Sequence, residues 1–212
     1  MTPHQLVPAF PPHTQRTHIG DTPRTIPCIS LIGMAGAGKS TVGRALAERL
    51  QWAHLDTDRL LEAHWGCALQ DLVDGLGLEE FLRAEEKLVS ELWLRRTVIS
   101  TGGSVIYGPA AINRLKVLGP VIYLQVSADT VSARVEDGQG RGLARRPGQS
   151  LEQLYAEREP LYRAAAELIL DMEGCSLQET LERLCPWLAQ RVPGVGAVLS
   201  DSSGSFAGLE KA

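Results

Sequence analysis

Nine residues near the start of the chain, GMAGAGKST (33–41), constrain the fold more than any other segment. They follow a short apolar run (28–32) and precede a segment whose apolar residues recur at helical spacing (39–50). Glycines allow the backbone to curl so that successive N–H groups point at phosphate oxygens, and the following helix adds the positive end of its dipole. The pattern G-x-x-x-x-G-K-S therefore predicts a phosphate-binding loop between a buried strand and a helix.

This loop predicts a bound nucleoside triphosphate, with ATP and Mg²⁺ as cofactors. Lys39 is expected to reach the β- and γ-phosphates, and the Ser40 hydroxyl is expected to ligate Mg²⁺. The alternative is a glycine-rich turn without a ligand, which the flanking strand and helix make less favourable. The residues predicted to contact the triphosphate are Gly33, Gly36, Ala37, Gly38, Lys39, Ser40 and Thr41.

Apolar runs and amphipathic segments alternate along the central part of the chain. Strands are predicted at 28–32, 52–58, 97–100, 119–126 and 167–171, and helices at 39–50, 59–73, 78–94, 128–135, 150–166 and 176–188. This alternation is typical of βαβ units, in which helices cover both faces of a parallel sheet. The sequence thus predicts an α/β fold of three layers with a central parallel sheet of about five strands.

Two carboxylates and two glycines follow predicted strands. Asp56 and Asp58 end one strand, and Gly102 and Gly103 follow another. Because ligands of parallel sheets bind beyond the carboxyl ends of the strands, these residues should share one rim with Gly33. Phosphoryl transfer to a hydroxyl requires a positioned Mg²⁺ and a carboxylate near the acceptor oxygen. The two aspartates can divide these tasks; the alternative is a solvated turn with an N-cap aspartate.

Composition limits the class of protein. The 212 residues carry a net charge of −4, which argues against a nucleic-acid or anionic membrane surface. No apolar run reaches the length of a membrane span, and the four cysteines show no metal-binding spacing. Residues 1–25 and 192–212 are predicted to be disordered, so the folded domain is expected at 26–191. We expect a cytoplasmic monomer that acts on a small molecule.

Several motifs together carry a resemblance to a known family. They are GMAGAGKST (33–41), LDTD (55–58), STGG (100–103), the arginines at 134 and 141, and EREPLY (157–162). With them, residues 28–190 resemble the shikimate kinase family, which has a P-loop kinase fold of the nucleoside-monophosphate-kinase type with a mobile lid. The resemblance implies transfer of the ATP γ-phosphate to the hydroxyl of a small hydroxy-acid. The polar, Gly-rich segment 136–149 has the composition expected of that lid, whose closure would exclude water.

The resemblance also implies roles for individual residues. Asp56 would hold Mg²⁺ through water, and Asp58 would bind the acceptor hydroxyl and help to deprotonate it. Arg141 would reach the phosphates when the lid closes, so that Lys39, Asp58 and Arg141 form the expected catalytic set. Arg134 would lie on the adenine.

The acceptor side is expected to hold a carboxylate. Arg158 would bind it, because a planar guanidinium suits bidentate binding; without the Pro-Leu-Tyr that follows, a solvated helix residue would be the simpler interpretation. The residues expected to bind the acceptor are Asp58, Arg83, Gly102, Gly103, Ser104 and Arg158.

Three departures from the family fall on the acceptor pocket and the lid. Leu82 stands where the family has a carboxylate-binding arginine, and Arg83 comes one residue later, about 100° round a helix. Ser104 replaces the third glycine of the family's turn, and RGLA (141–144) replaces Arg-Pro-Leu-Leu in the lid. Loss of one charge-assisted contact costs about 1.5–3 kcal/mol, which argues for a changed acceptor.

The sequence therefore favours L-homoserine as the acceptor, for threonine synthesis, because a less positive pocket tolerates an ammonium group. The alternative is shikimate, with Arg83 replacing the missing arginine after a small adjustment of the helix. An exposed Arg83 would favour homoserine, and an Arg83 near Arg158 would favour shikimate. A non-catalytic nucleotide-binding module and a nucleotide or gluconate kinase are less favoured, since Lys39, Ser40 and Asp56 are present together with EREPLY and STGG.

Overall fold

Five parallel strands form the centre of the fold. The computed structural model describes residues 27–135 and 143–202. Its strands are β1 (Ile29–Ile32), β2 (Ala53–Asp56), β3 (Thr97–Ser100), β4 (Val121–Gln125) and β5 (Leu168–Asp171), arranged in the order β2-β3-β1-β4-β5. All four neighbouring pairs are parallel. The predicted α/β fold with a five-stranded parallel sheet is confirmed.

Helices connect the strands and cover the sheet. In the described residues they are α1 (Lys39–Leu50), α2 (Thr57–Trp65), α3 (Leu69–Leu76), α4 (Leu78–Ser90), α5 (Pro109–Leu118), α6 (Ala128–Arg134), α7 (Leu151–Ala165), α8 (Leu177–Arg191) and α9 (Val195–Ser202), with a short 3₁₀ turn at Val105–Tyr107. None of the helices in 27–135 and 143–202 is both long and apolar enough to cross a bilayer.

Apolar side chains bury the central strands and the inner face of α1. β1 and β3 are buried at every position, as expected for strands covered on both faces. α1 buries Val42, Leu46 and Leu50 against the sheet, with charged residues on its outer face. The capping box predicted at Ser150 is present, since its hydroxyl accepts from the Gln153 N–H and the Gln153 side chain accepts from the Ser150 N–H.

The structure differs from the sequence-based expectation in three elements. The single helix expected at 59–73 is two helices, because Gly66 ends α2 in a left-handed conformation with φ 70°. α5 was not expected. α9 lies in the segment expected to be disordered, where Val195 is fully buried and the helix packs against α1 and α8. Residues 1–26 and 136–142, which include all of the expected N-terminal extension and half of the expected lid, lie outside the described residues, as do residues 203–212 of the expected C-terminal tail.

The sheet order decides where a ligand can bind. β1 lies between β3 and β4, so the chain adds strands first on one side of β1 and then on the other. Ligands of open parallel sheets bind at the point where the strand order reverses in this way. Ser100 pairs with Leu31 on one side and with Asp56 on the other. This register places the loop after β1, the carboxylates after β2 and the turn after β3 at one edge of the sheet.

Candidate active site

The loop between β1 and α1 has the conformation that its glycines allow. Gly33 lies against β4, where a Cβ atom would be 2.6 Å from the carbonyl oxygen of Leu124. Gly38 precedes α1 with φ 90°, a left-handed conformation that favours glycine. Ala37 is fully buried beneath the loop. The chain therefore turns tightly from strand to helix, and the N-terminus of α1 faces the cleft as an anion site requires.

Lys39 lies inside this loop. Its side chain is only 8% exposed, and its Nζ donates to the carbonyl oxygens of Gly33 (2.8 Å) and Met34 (2.7 Å). Burial lowers the pKa of Lys39 to about 8, while the nearby Asp58 and Asp56 carboxylates oppose this shift. Phosphate oxygens would supply the negative charge that favours the protonated amine at this position.

Ser40 and Asp56 meet at the end of β2. The Ser40 Oγ donates to Asp56 Oδ2 at 2.6 Å. The other carboxylate oxygen, Oδ1, accepts from the backbone N–H groups of Asp58 (3.1 Å) and Arg59 (3.3 Å), which caps α2. One hydroxyl and one carboxylate are oxygen donors of the kind that Mg²⁺ prefers when phosphates and water complete its coordination.

The protein alone offers no cage for a cation there. Within the described ranges, no group of three His, Cys, Asp or Glu side chains is arranged to hold a metal ion. The pair of Ser40 and Asp56 therefore fits a magnesium ion that arrives with a nucleotide rather than a permanent metal.

Glu85, which is buried, and Asp58, which is half-buried, place carboxyl oxygens against the same face of Gly102. A Cβ atom on Gly102 would overlap both Asp58 Oδ1 and Glu85 Oε1, so only glycine fits beside them. Burial raises the pKa of Asp58 to about 6; Lys39 opposes the shift and Asp56 adds to it. A carboxyl group with such a pKa is able to exchange a proton near neutral pH.

Glu85 is the residue of this region that sequence reasoning missed. It is 1% exposed, and its Oε1 has no hydrogen-bond partner within 27–135 and 143–202. Burial raises the pKa of Glu85 to about 8, and the charge of Asp58 adds to this rise, while a hydrogen bond from Ser104 lowers it. A signal was available, since Phe81, Glu85 and Val89 form the buried stripe of α4, and an acid in an apolar stripe is unusual.

Arg158 lies across the cleft, where the sequence predicted it. It is 1% exposed although it carries a charge. Its Nη2 donates to the carbonyl oxygen of Ala144 (2.5 Å), and its Nε donates to the hydroxyl of Tyr107 (3.3 Å). Gly103 packs against it, since a Cβ there would be 3.2 Å from Nη1. A buried guanidinium beside a glycine turn is suited to binding a carboxylate.

The prediction that Arg83 binds the acceptor is wrong. Its guanidinium donates to Glu80 (2.5 Å) and Glu79 (2.6 Å) on the outer face of α4, and the side chain is 63% exposed. The reason is helix geometry, because one residue turns the side chain by about 100°. Leu82 takes the inward direction and packs on the apolar cluster around Phe81.

Of the two other predicted arginines, only Arg134 lies within the described residues. Arg134 at the end of α6 lies against the phosphate loop, and its Nη1 donates to the Gly36 carbonyl oxygen at 2.6 Å. Its expected contact with adenine stays a prediction. Arg141 lies outside the described residues.

A cleft of about 810 Å³ joins the donor and acceptor residues at the edge of the sheet. Of the predicted site residues, it is lined by Gly36, Gly38, Lys39, Ser40, Thr41, Asp56, Asp58, Gly103, Ser104 and Arg158. It also contains Arg44 and Arg59, two cations at the rim that sequence reasoning did not consider. The arrangement brings a phosphate loop, a magnesium-type oxygen pair, the half-buried carboxyl group of Asp58 and a guanidinium into one space, which suits phosphoryl transfer to a small acidic acceptor.

Comparison with known proteins agrees with this geometry. The family model described as shikimate kinase matches residues 35–189. The shikimate kinase of Francisella tularensis subsp. holarctica is 33% identical over 166 residues, covering 76% of this chain and 94% of that protein. The solved shikimate kinase of Acinetobacter baumannii, in complex with shikimate, is 30% identical with a TM-score of 0.72, covering 80% of this chain and 97% of that one.

A second solved structure extends the agreement. The shikimate kinase of Aquifex aeolicus is 27% identical with a TM-score of 0.64, covering 76% of this chain and 95% of that chain. The family-model match at 35–189 spans residues 35–41 of the phosphate loop, both aspartates and Arg158. The chain therefore belongs to the shikimate kinase family, whose members are ATP-dependent phosphotransferases.

Proposed function

We propose that this ATP-dependent kinase phosphorylates a hydroxyl group of shikimate. The relatives described above are shikimate kinases, and one of them was solved with shikimate bound. The structural observation that carries the proposal is the position of Asp58, a half-buried carboxyl group that lines the same cleft as Lys39 and Arg158. A hydroxyl held against Asp58 would lie between the phosphate loop and a carboxylate-binding arginine.

The donor residues would bind and orient ATP. The N-terminus of α1 and the loop N–H groups bind the phosphates, and Lys39 exchanges its two carbonyl partners for phosphate oxygens. Ser40 and Asp56 would hold Mg²⁺, which neutralises phosphate charge when bound. These groups point at the phosphate oxygens, where negative charge develops in the transition state of phosphoryl transfer, and they stabilise that charge.

Asp58 acts on the acceptor. Its carboxylate accepts a hydrogen bond from the acceptor hydroxyl and receives the proton as the new oxygen–phosphorus bond forms. The bond between the γ-phosphorus and the bridging oxygen breaks, and ADP leaves with that electron pair. Because the pKa of Asp58 is about 6, most of the carboxyl groups are ionised at pH 7.5 and able to take the proton.

Arg158 orients the acceptor through its carboxylate. The guanidinium is buried, so an ion pair there is less weakened by solvent than a pair at the surface. A carboxylate bound at Arg158, with the hydroxyl at Asp58, leaves only one orientation of a small hydroxy-acid in the cleft. This two-point binding explains why a neutral sugar would be a poor acceptor.

L-Homoserine is a second candidate acceptor, and one set of observations favours it. Arg83 faces solvent and Leu82 carries no charge, so α4 places no arginine beside the acceptor. Glu85, which is buried beside Gly102, instead has an oxygen without a hydrogen-bond partner among the described residues. The pKa of Glu85 is raised to about 8, and an ammonium group bound nearby would lower this pKa and pair with the ionised carboxylate. The relatives support shikimate as the acceptor, whereas the outward position of Arg83 and the buried acid Glu85 support homoserine.

The test is ADP release by the full chain with ATP and Mg²⁺, with shikimate and L-homoserine offered in separate reactions. The product of each reaction is identified by mass. Phosphorylation of shikimate alone supports the main proposal, and phosphorylation of homoserine alone replaces it with the second candidate. ADP release that neither acceptor stimulates contradicts both.

A further inference from the structure

Tyr107 contacts Arg158, and the proposed reaction assigns no role to Tyr107. It lies in the 3₁₀ turn that follows the STGGS segment (100–104), close to α7. Its ring is 5.1 Å from Arg158 Cζ, a cation–π distance. Its hydroxyl is 3.3 Å from Arg158 Nε and 2.8 Å from Glu157 Oε1. The Tyr107 side chain thus contacts the buried guanidinium with both its ring and its hydroxyl.

Glu157 determines the direction of the Tyr107 hydroxyl. A carboxylate only accepts hydrogen bonds, so the single phenolic proton points to Glu157, and the oxygen lone pairs remain for Arg158 Nε–H. The hydrogen bond from Tyr107 is the main cause that holds the pKa of Glu157 below its usual value. Gln149 Nε2 (2.8 Å) and Arg146 Nη1 (3.3 Å) also donate to this carboxylate. Glu157 is therefore an anchored acceptor for Tyr107.

Several contacts hold the guanidinium of Arg158, including a side-chain hydrogen bond with Tyr162. Arg158 donates Nε–H to Tyr107 and an Nη2–H to the Ala144 carbonyl oxygen. Its Nη1 side lies next to Gly103 in the wall of the cleft. A guanidinium with its plane and two of its edges fixed in this way loses little freedom when a carboxylate binds.

We infer that Tyr107 is a positioning residue that orients Arg158 toward the acceptor carboxylate, with Glu157 orienting the Tyr107 hydroxyl. The inference rests on the proposed function, in which Arg158 binds that carboxylate. It matters more in this chain because Leu82 provides no second cation on α4. Small errors in the direction of Arg158 would therefore weaken acceptor binding directly.

The test is steady-state kinetics of Tyr107→Phe with whichever acceptor the wild-type chain phosphorylates. This variant keeps the ring on Arg158 and removes only the hydroxyl. We expect the acceptor KM to rise about 3- to 10-fold, as for loss of one hydrogen bond, with the ATP KM unchanged. Glu157→Gln should show a smaller rise in the same direction. Tyr155→Phe is the matched control. Tyr155 lies on α7, the helix that carries Arg158, but its hydroxyl donates to the Val126 carbonyl oxygen.

A second measurement separates positioning from general structural damage. It uses an acceptor analogue in which a hydroxymethyl group replaces the carboxylate. We expect the KM of Tyr107→Phe for this analogue to equal that of wild type. In the double variant with Arg158→Gln, the Tyr107→Phe change should cause no further rise in the acceptor KM. An unchanged acceptor KM in Tyr107→Phe, or an equal loss with the analogue, overturns the inference while the kinase proposal stands. If the wild-type chain phosphorylates neither acceptor, the proposed function fails and the inference falls with it.

Discussion

The donor and acceptor halves of the cleft are held in different ways. The donor half consists of residues 33–41 and Asp56, whose contacts are mostly between near neighbours in sequence: Lys39 bonds to Gly33 and Met34, and Asp56 caps its own helix. The acceptor half combines α4, residues 101–104 and α7, which meet only in the folded chain. A contiguous motif specifies the first half, whereas helix register specifies the second.

This difference has consequences for specificity. The donor half contains every polar group that the loop pattern demands, and its ligand class follows from the pattern. In the acceptor half a shift of one residue turned Arg83 outward, and a buried acid, Glu85, was left beside Asp58 without a cation from α4. The acceptor half is therefore where this chain differs from the family pattern, and the following experiments test the two halves separately.

The largest effect is expected in the donor half, from Lys39→Ala. Loss of the amine removes a preorganised charge at the phosphates, so we expect kcat to fall by about 100- to 1,000-fold. The variant should stay folded with a somewhat lower thermal midpoint, because the carbonyl oxygens of Gly33 and Met34 lose their donor. Kinetics and thermal unfolding check this, with the exposed Lys87→Ala as the matched control. Turnover equal to wild type would remove Lys39 from the mechanism.

Asp58→Asn tests the boundary between the halves. We expect kcat to fall by about 100-fold or more, while the ATP KM changes little, because the amide keeps the shape but does not take a proton. The wild-type rate should also fall as the pH drops below about 6, because protonation of Asp58, whose pKa is raised to about 6, removes the base. Asp74→Asn on α3 is the control. A loss of ATP binding with normal acceptor kinetics would place Asp58 on the donor side instead.

Sequence predicted the donor half well because its contacts are local. The strand, the glycine turn and the helix follow one another, so each residue of GMAGAGKST has a position fixed by its neighbours in sequence. The alternation of elements predicted the parallel sheet for a similar reason. The strand order was not predicted, since it depends on which crossover packs on which face.

The acceptor half was predicted only in part, for physical reasons that specific residues show. The prediction of Arg158 depended on its motif, but nothing local to Tyr107 reveals its contact with a helix 50 residues away. Glu85 falls on the stripe of Phe81 and Val89, but α4 carries several other acids, and the packing of α4 decides that this one is buried. α9 follows the same rule, since the burial of Val195 against the core stabilises a glycine-containing segment with weak helix propensity.

Glu85→Gln is expected to change stability in a pH-dependent way. The folded-state pKa of Glu85 is raised to about 8 from an ordinary value of 4.5, so the folded chain retains a proton that the unfolded chain loses. The stability of the wild type should therefore fall as the pH rises from about 5 to 8. The variant should show a flatter dependence and be the more stable protein at pH 8 and above.

Thermal unfolding of both proteins from pH 5 to 9 measures this, with Glu86→Gln, the next residue of α4, as the control. Parallel curves for wild type and Glu85→Gln would mean that Glu85 is not protonated in the folded state. The same variant sharpens the acceptor question. If an ammonium-bearing acceptor is used, its KM should rise on loss of the acid, whereas shikimate should bind at least as well.

The smallest effect on acceptor binding is expected from Arg83→Ala. An arginine at position 82 would match the family pattern, but Arg83 is one residue too late. Arg83 pairs with Glu79 and Glu80 in solvent, and exposed pairs of this kind contribute less than about 1 kcal/mol. We expect an acceptor KM within about 2-fold of wild type. By contrast, Leu82→Arg points inward beside Glu85 and should lower the KM for shikimate and raise it for homoserine. If Arg83→Ala alone weakened the acceptor strongly, α4 would have to turn during catalysis, and the contrast between the two halves would not hold for the working enzyme.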